Sequence, residues 1–97
     1  MVIQYIGFQP QHRGRDYSYR VVDPKAEPRE FVLTIPARAF VERHVPYQDA
    51  AAICYQKLQR ELASETAEKP IPRRLTISDE ELETYRAKYR PAKRRGG

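Results

Sequence analysis

Residues 86–97 hold six cationic side chains and no acidic one: Arg86, Lys88, Arg90, Lys93, Arg94 and Arg95. Tyr85 and Tyr89 are interleaved with them. Cations at this density can neutralise phosphates and release their counterions, while phenol rings can stack on unpaired bases. The segment therefore points to weak, sequence-independent binding of nucleic acid or another polyanion. The same residues also read as a solubilising end that complements a helix dipole. The rest of the chain does not share this charge. Residues 1–63 carry nine Lys and Arg against seven Asp and Glu, and residues 64–85 carry three against six, so the net +5 of the 97-residue chain comes from its last segment.

Catalysis would need a nucleophile, a base and an orienting group brought together. Each available residue has a simpler account. His44, between Arg43 and Val45 after a helix-like segment, suits a helix C-terminal cation, and His12 falls in a turn. Cys54 sits on an apolar helical stripe, where a free cysteine behaves as a small buried hydrophobe. The adjacent Glu80 and Glu81 serve a helix start. One cysteine and two histidines supply neither a disulfide framework nor a zinc cluster. The four glycines, Gly7, Gly14, Gly96 and Gly97, form no phosphate-cradling loop. The expectation is a binding protein with no enzymatic activity, cofactor, metal or small-molecule substrate.

These groups must be positioned by a small α+β body. In Asp16–Val22, Tyr17, Tyr19 and Val21 alternate with Ser18 and Arg20, and in Arg29–Ile35, Phe31, Leu33 and Ile35 alternate with Glu30, Val32 and Thr34. Both are period-2 patterns of half-buried strands, and Asp23–Pro28 between them supplies turn chemistry for a hairpin. Val2–Gln9 is rich in β-formers but alternates poorly; it adds a first strand, with Gly7 marking a bulge or a close approach and Pro10–Gly14 forming the connection. Pro36 suits the first position of a short helix over Ala37–Arg43. The main helix covers Asp49–Ala63, where Ala51, Cys54, Tyr55, Leu58 and Leu62 recur on one stripe that should lie across the aromatic face of the sheet.

Residues 64–76 turn polar and include Pro70 and Pro72, which reads as a semi-rigid linker. Ser78 and Glu81 form a capping box, with Ile77 and Leu82 placed as a hydrophobic staple, so a helix starts at Asp79 and runs to about Arg90 before Pro91. The division expected is a compact 1–63 body of three antiparallel strands and two helices, a linker over 64–76, a C-terminal helix over 77–90 and a mobile basic tail over 91–97. The two apolar stripes are expected to bury each other without help from the last helix.

If the main helix covers one sheet face, the other leaves Val22, Val32 and Thr34 to solvent, where they could pair the sheet face or edge with a protein partner or a second copy. A three-stranded sheet followed by a helix resembles in topology the small βββα DNA-binding domains of some integrases and plant transcription factors, which lay Arg and Lys of the sheet in the major groove. Here that face sets Arg20 against Glu30, with no net positive charge. Two binding readings result: nucleic-acid association through Arg86 to Arg95, and protein association through the sheet. No apolar run is long enough to span a membrane, and no secretory leader is recognisable, so a cytoplasmic protein without membrane contact is expected.

Overall fold

The computed structural model of the protein describes residues 1–42 and 45–89, the side chains of Tyr47, Arg86, Lys88 and Tyr89 excepted. Seven elements follow in order: β1 (Val2–Gln11), β2 (Gly14–Val22), β3 (Arg29–Pro36), α1 (Ala37–Val41), α2 (Tyr47–Ser64), β4 (Arg74–Thr76) and α3 (Asp79–Tyr89). The sheet has the order β1-β2-β3-β4. β1, β2 and β3 are antiparallel neighbours, as their alternation implies, with Tyr17 opposite Leu33, Tyr19 opposite Phe31 and Arg20 opposite Glu30.

The sheet is not the expected three-stranded antiparallel meander. β4 joins it parallel to β3, pairing Arg74, Leu75 and Thr76 with Val32, Leu33 and Thr34. The ladder is closed at its ends by the Val32 N–H donating to the Arg73 carbonyl and the Ile77 N–H donating to the Thr34 carbonyl. A parallel neighbour needs a long crossover, and α1 with α2 provides it. Three residues after two prolines are too few for alternation to declare a strand, so the segment reads as linker until the crossover brings it beside β3.

The first hairpin is also tighter than its sequence suggests. Pro10 and Gln11 still belong to β1, Gln11 pairs with Gly14, and only His12 and Arg13 turn. Gly14 is required where it stands: a Cβ there would lie 2.2 Å from the Ile35 carbonyl oxygen and 3.0 Å from the Pro36 Cα. The Ala37 N–H donates to the Arg13 carbonyl and ties this hairpin to the start of α1. Pro36 ends β3 and stands just before α1 rather than inside its first turn.

Helix α2 lies across β1, β2 and β3. Tyr17, Tyr19, Val21, Phe31, Leu33 and Ile35 from the sheet and Ala50, Ile53, Cys54, Leu58 and Leu62 from the helix form the core. The Tyr19 hydroxyl donates to the Ala51 carbonyl and pins helix to sheet. The core is not confined to residues 1–63, because Ile77 and Leu82 are fully buried in it and Leu75 and Tyr85 pack against it. Helix α3 therefore docks. Its capping box forms as its sequence indicates, the Glu81 N–H donating to the Ser78 hydroxyl at 3.1 Å and the Ser78 N–H to the Glu81 carboxylate at 2.8 Å. Among the described residues no helix is long and apolar enough to cross a membrane.

Candidate interaction surface

Among the described residues β1 is an edge strand, paired with β2 on one side and with nothing on the other. Its ten residues contain no charged side chain, three glutamines (Gln4, Gln9 and Gln11) and one proline. It is exposed along nearly its whole length, although α2 reaches its first half and Ile3 packs against the core. Tyr5 and Phe8 share the aromatic face with Tyr17 and Tyr19, yet they remain 48% and 47% exposed where the inner tyrosines are at most 2% exposed. Six of the seven exposed large hydrophobic residues among those described, Met1, Val2, Tyr5, Ile6, Phe8 and Tyr55, lie on β1, beside it, or next to it on α2.

The aromatic rings form a continuous strip. Tyr5 lies 6.5 Å from Tyr17 and 5.4 Å from Tyr19, Phe8 lies 5.6 Å from Tyr17, and Tyr19 lies 6.5 Å from Tyr55, ring centre to ring centre. These are offset and tilted pairings of the kind that stabilise aromatic clusters. The Arg15 guanidinium caps one end, 4.8 Å from the Phe8 ring centre and 5.6 Å from that of Phe40. Burial pushes the phenols of Tyr17 and Tyr19 above their ordinary value, which keeps both neutral. Between β1 and α2 runs a groove of about 450 Å³ lined mainly by Met1, Ile3, Tyr55, Gln59 and Leu62. An unpaired edge beside an apolar groove can accept an extended segment, the backbone supplying hydrogen bonds and the groove a place for side chains.

The poor alternation of β1 has a local cause. The register with β2 shifts between Tyr5 and Gly7, so Ile6 is an extra residue, a β-bulge. The bulge returns Phe8 to the face that Tyr5 occupies. Gly7 thus marks the bulge that its sequence position suggested.

The sheet positions singled out from sequence are half-buried. Val22, Val32 and Thr34 lie on the face away from α2, and Thr34 donates to Asp16 at 2.6 Å while Arg74 reaches Asp16 at 3.2 Å and Thr34 at 3.4 Å. β4 covers the edge of β3, which leaves β1 as the long free edge. Of the residues proposed for nucleic acid, Tyr85 packs against the core. Arg86, Lys88 and Tyr89 lie on α3, and Arg90, Lys93, Arg94 and Arg95 lie outside the described residues, as does His44. Cys54 is fully buried, and burial first, then the nearby Glu81 carboxylate, pushes its thiol well above the ordinary range. Among the described residues no group of three or more His, Cys, Asp and Glu side chains gathers as metal ligands would.

A second cleft, about 470 Å³, separates α2 from α3 and is lined by Ile53, Lys57, Arg60, Glu81, Thr84 and Tyr85 among others. Its polar groups answer one another: Lys57 meets Glu81 at 2.5 Å and Glu61 at 3.7 Å, and Arg60 meets Glu81 at 3.6 Å. Comparison with protein-family models, curated proteins and solved structures finds no match for this chain.

Proposed function

We propose that the protein is a non-enzymatic protein-interaction module that works through the free edge and overhanging face of β1. The observation that carries this reading is the combination of a ten-residue unpaired edge, the absence of charge along it, and the concentration of exposed apolar side chains on and beside it. A long, uncharged edge is a template for pairing that proteins ordinarily blunt with charges, prolines or bulges, and β1 carries Pro10 and the bulge at Ile6 but no charge. Among the described residues, Cys54 is buried, and Glu81 is held by Lys57 and by its own capping box.

The polyanion reading through Arg86 to Arg95 rests on the charge of that segment alone. Tyr85, one of its two tyrosines, is half-buried and packs against the core, which leaves less of its ring for a base.

Capture with a tagged full-length chain separates the two readings, with nuclease and high salt applied in parallel and untagged copies of the chain counted among possible partners. A partner that survives both treatments and is lost when Ile6 is replaced by Lys supports the β1 edge. Partners lost to nuclease or salt and indifferent to Ile6→Lys would transfer the function to the basic segment.

A further inference from the structure

We propose that the occupant of the β1 edge is β1 of a second copy, paired antiparallel about a two-fold axis that passes between Ile6 and Gly7. This inference rests on the interaction reading above and names its partner.

The bulge makes it geometrically possible. Opposite β2, the residues of β1 on the aromatic face are Ile3, Tyr5, Phe8 and Pro10, matched with Val21, Tyr19, Tyr17 and Arg15. Those on the other face are Val2, Gln4, Gln9 and Gln11, with the bulge at Ile6 and Gly7 in the middle. Both sets are symmetric about the midpoint of the strand. Side chains directly opposite one another in an antiparallel pair must point to the same face. In an unbroken alternation a two-fold axis between residues 6 and 7 would set opposite faces together. With the bulge, every pair across that axis agrees: Tyr5 meets the Phe8 of the other copy, Ile3 its Pro10, Gln4 its Gln9 and Val2 its Gln11.

The chemistry of these pairs is self-complementary. Two aromatic pairs would extend the existing strip across the junction, and two glutamine pairs can exchange amide hydrogen bonds. Ile6 would lie over the Gly7 of the other copy, where a Cβ has no atom within 4 Å in the free chain. On the glutamine face Gln4 adjoins Arg20 and Gln9 adjoins Asp16, so each row across the dimer runs from a cation in one copy to an anion in the other. Within Val2–Gln11 no like charges confront each other, and an uncharged strand offers a charged peptide nothing to recognise.

Exposed apolar surface is concentrated at this edge. Met1, Val2, Tyr5, Ile6 and Phe8 are 47–64% exposed, which at ~150–200 Å² for a large side chain leaves roughly 400–500 Å² of apolar surface. Joining two edges makes one continuous eight-stranded sheet and removes the exposed edge from both copies.

The test uses the full chain. Sedimentation of wild type across a wide concentration range should show a dimer, and Ile6→Lys, which places a cation at the axis twice over, should weaken association at least about a hundredfold. Circular dichroism confirms that this exposed substitution leaves the fold intact. Two single variants, Gln4→Cys and Gln9→Cys, then read the register. Mixed and mildly oxidised, they should yield a disulfide-linked dimer, whereas each alone should not, and wild type with its buried Cys54 is the control. A monomeric wild type, a dimer indifferent to Ile6→Lys, or cross-linking of Gln4→Cys to itself would each overturn the proposal. A monomeric wild type that still captures a different protein in an Ile6-dependent way would overturn the second copy alone. A monomer with no Ile6-dependent partner would remove the interaction reading as well.

Discussion

Lys57 of α2 and Glu81 of α3 meet at 2.5 Å, and the same carboxylate closes the capping box of α3 with its other oxygen. Lys57 is the buried charged residue of the described core. One glutamate thus both starts a helix and neutralises the cation beneath it. The pair joins the element that covers the sheet to the last helix.

The two halves of this pair should respond unequally to substitution. Glu81→Ala leaves the buried ammonium only the more distant Glu61 carboxylate, at 3.7 Å, and opens the helix start, at an expected cost of about 2–4 kcal/mol. Lys57→Met keeps the volume and removes the charge, leaving Glu81 its Ser78 and Arg60 partners, and should change stability by less than about 1.5 kcal/mol. Denaturant unfolding of both variants checks the asymmetry; equal losses would contradict it.

Stability should fall on the acid side. Burial works to raise the Glu81 carboxyl, but the Lys57 ammonium and the Ser78 N–H outweigh it and hold the group below its ordinary value of 4.5. Glu65 is lowered by its hydrogen bonds from Arg29 and then from the Ile71 N–H. A carboxyl whose folded value is depressed binds fewer protons folded than unfolded, so its contribution is complete above about pH 4.5 and is lost as pH falls through the folded value. Unfolding midpoints measured from pH 7 to pH 3 should decline below that point, and Glu81→Gln and Glu65→Gln should each flatten the decline.

The last helix should prove integral to the fold. Leu82→Ala empties a fully buried site and should cost about 2–5 kcal/mol. A chain ending at residue 69 lacks β4, Ile77 and Leu82 and should lose amide protection across β3. In the full chain the Val32 and Ile77 amides, bonded to Arg73 and Thr34, should exchange as slowly as those between β2 and β3.

Gly14→Ala should be costly despite its small size. The added methyl would sit 2.2 Å from a backbone oxygen of β3, which cannot rotate away, so the β2–β3 end must separate. The expected loss is about 1–3 kcal/mol or more, read from thermal unfolding.

Patterns carried within a few residues of one another were legible in the sequence. The alternation of Tyr17, Tyr19 and Val21 and of Phe31, Leu33 and Ile35 specified a hairpin and its inward face; the spacing of Cys54, Leu58 and Leu62 specified the covering stripe of α2; Ser78 and Glu81 specified where α3 begins. Each is a local rule of backbone period or hydrogen bonding. β4 obeys no such rule. Leu75 becomes a strand residue because the α1–α2 crossover returns the chain beside β3 and the unpaired β3 edge needs donors and acceptors. The candidate surface is divided in the same way. The lack of charge from Val2 to Gln11 and the faltering alternation around Ile6 were visible in the sequence, the second being the imprint of the bulge. That Tyr5 and Phe8 stay exposed while Tyr17 and Tyr19 are buried was not, because all four are aromatic residues on one face of the sheet. Where α2 stops covering the sheet decides between them, and that is a property of packing between elements distant in the chain.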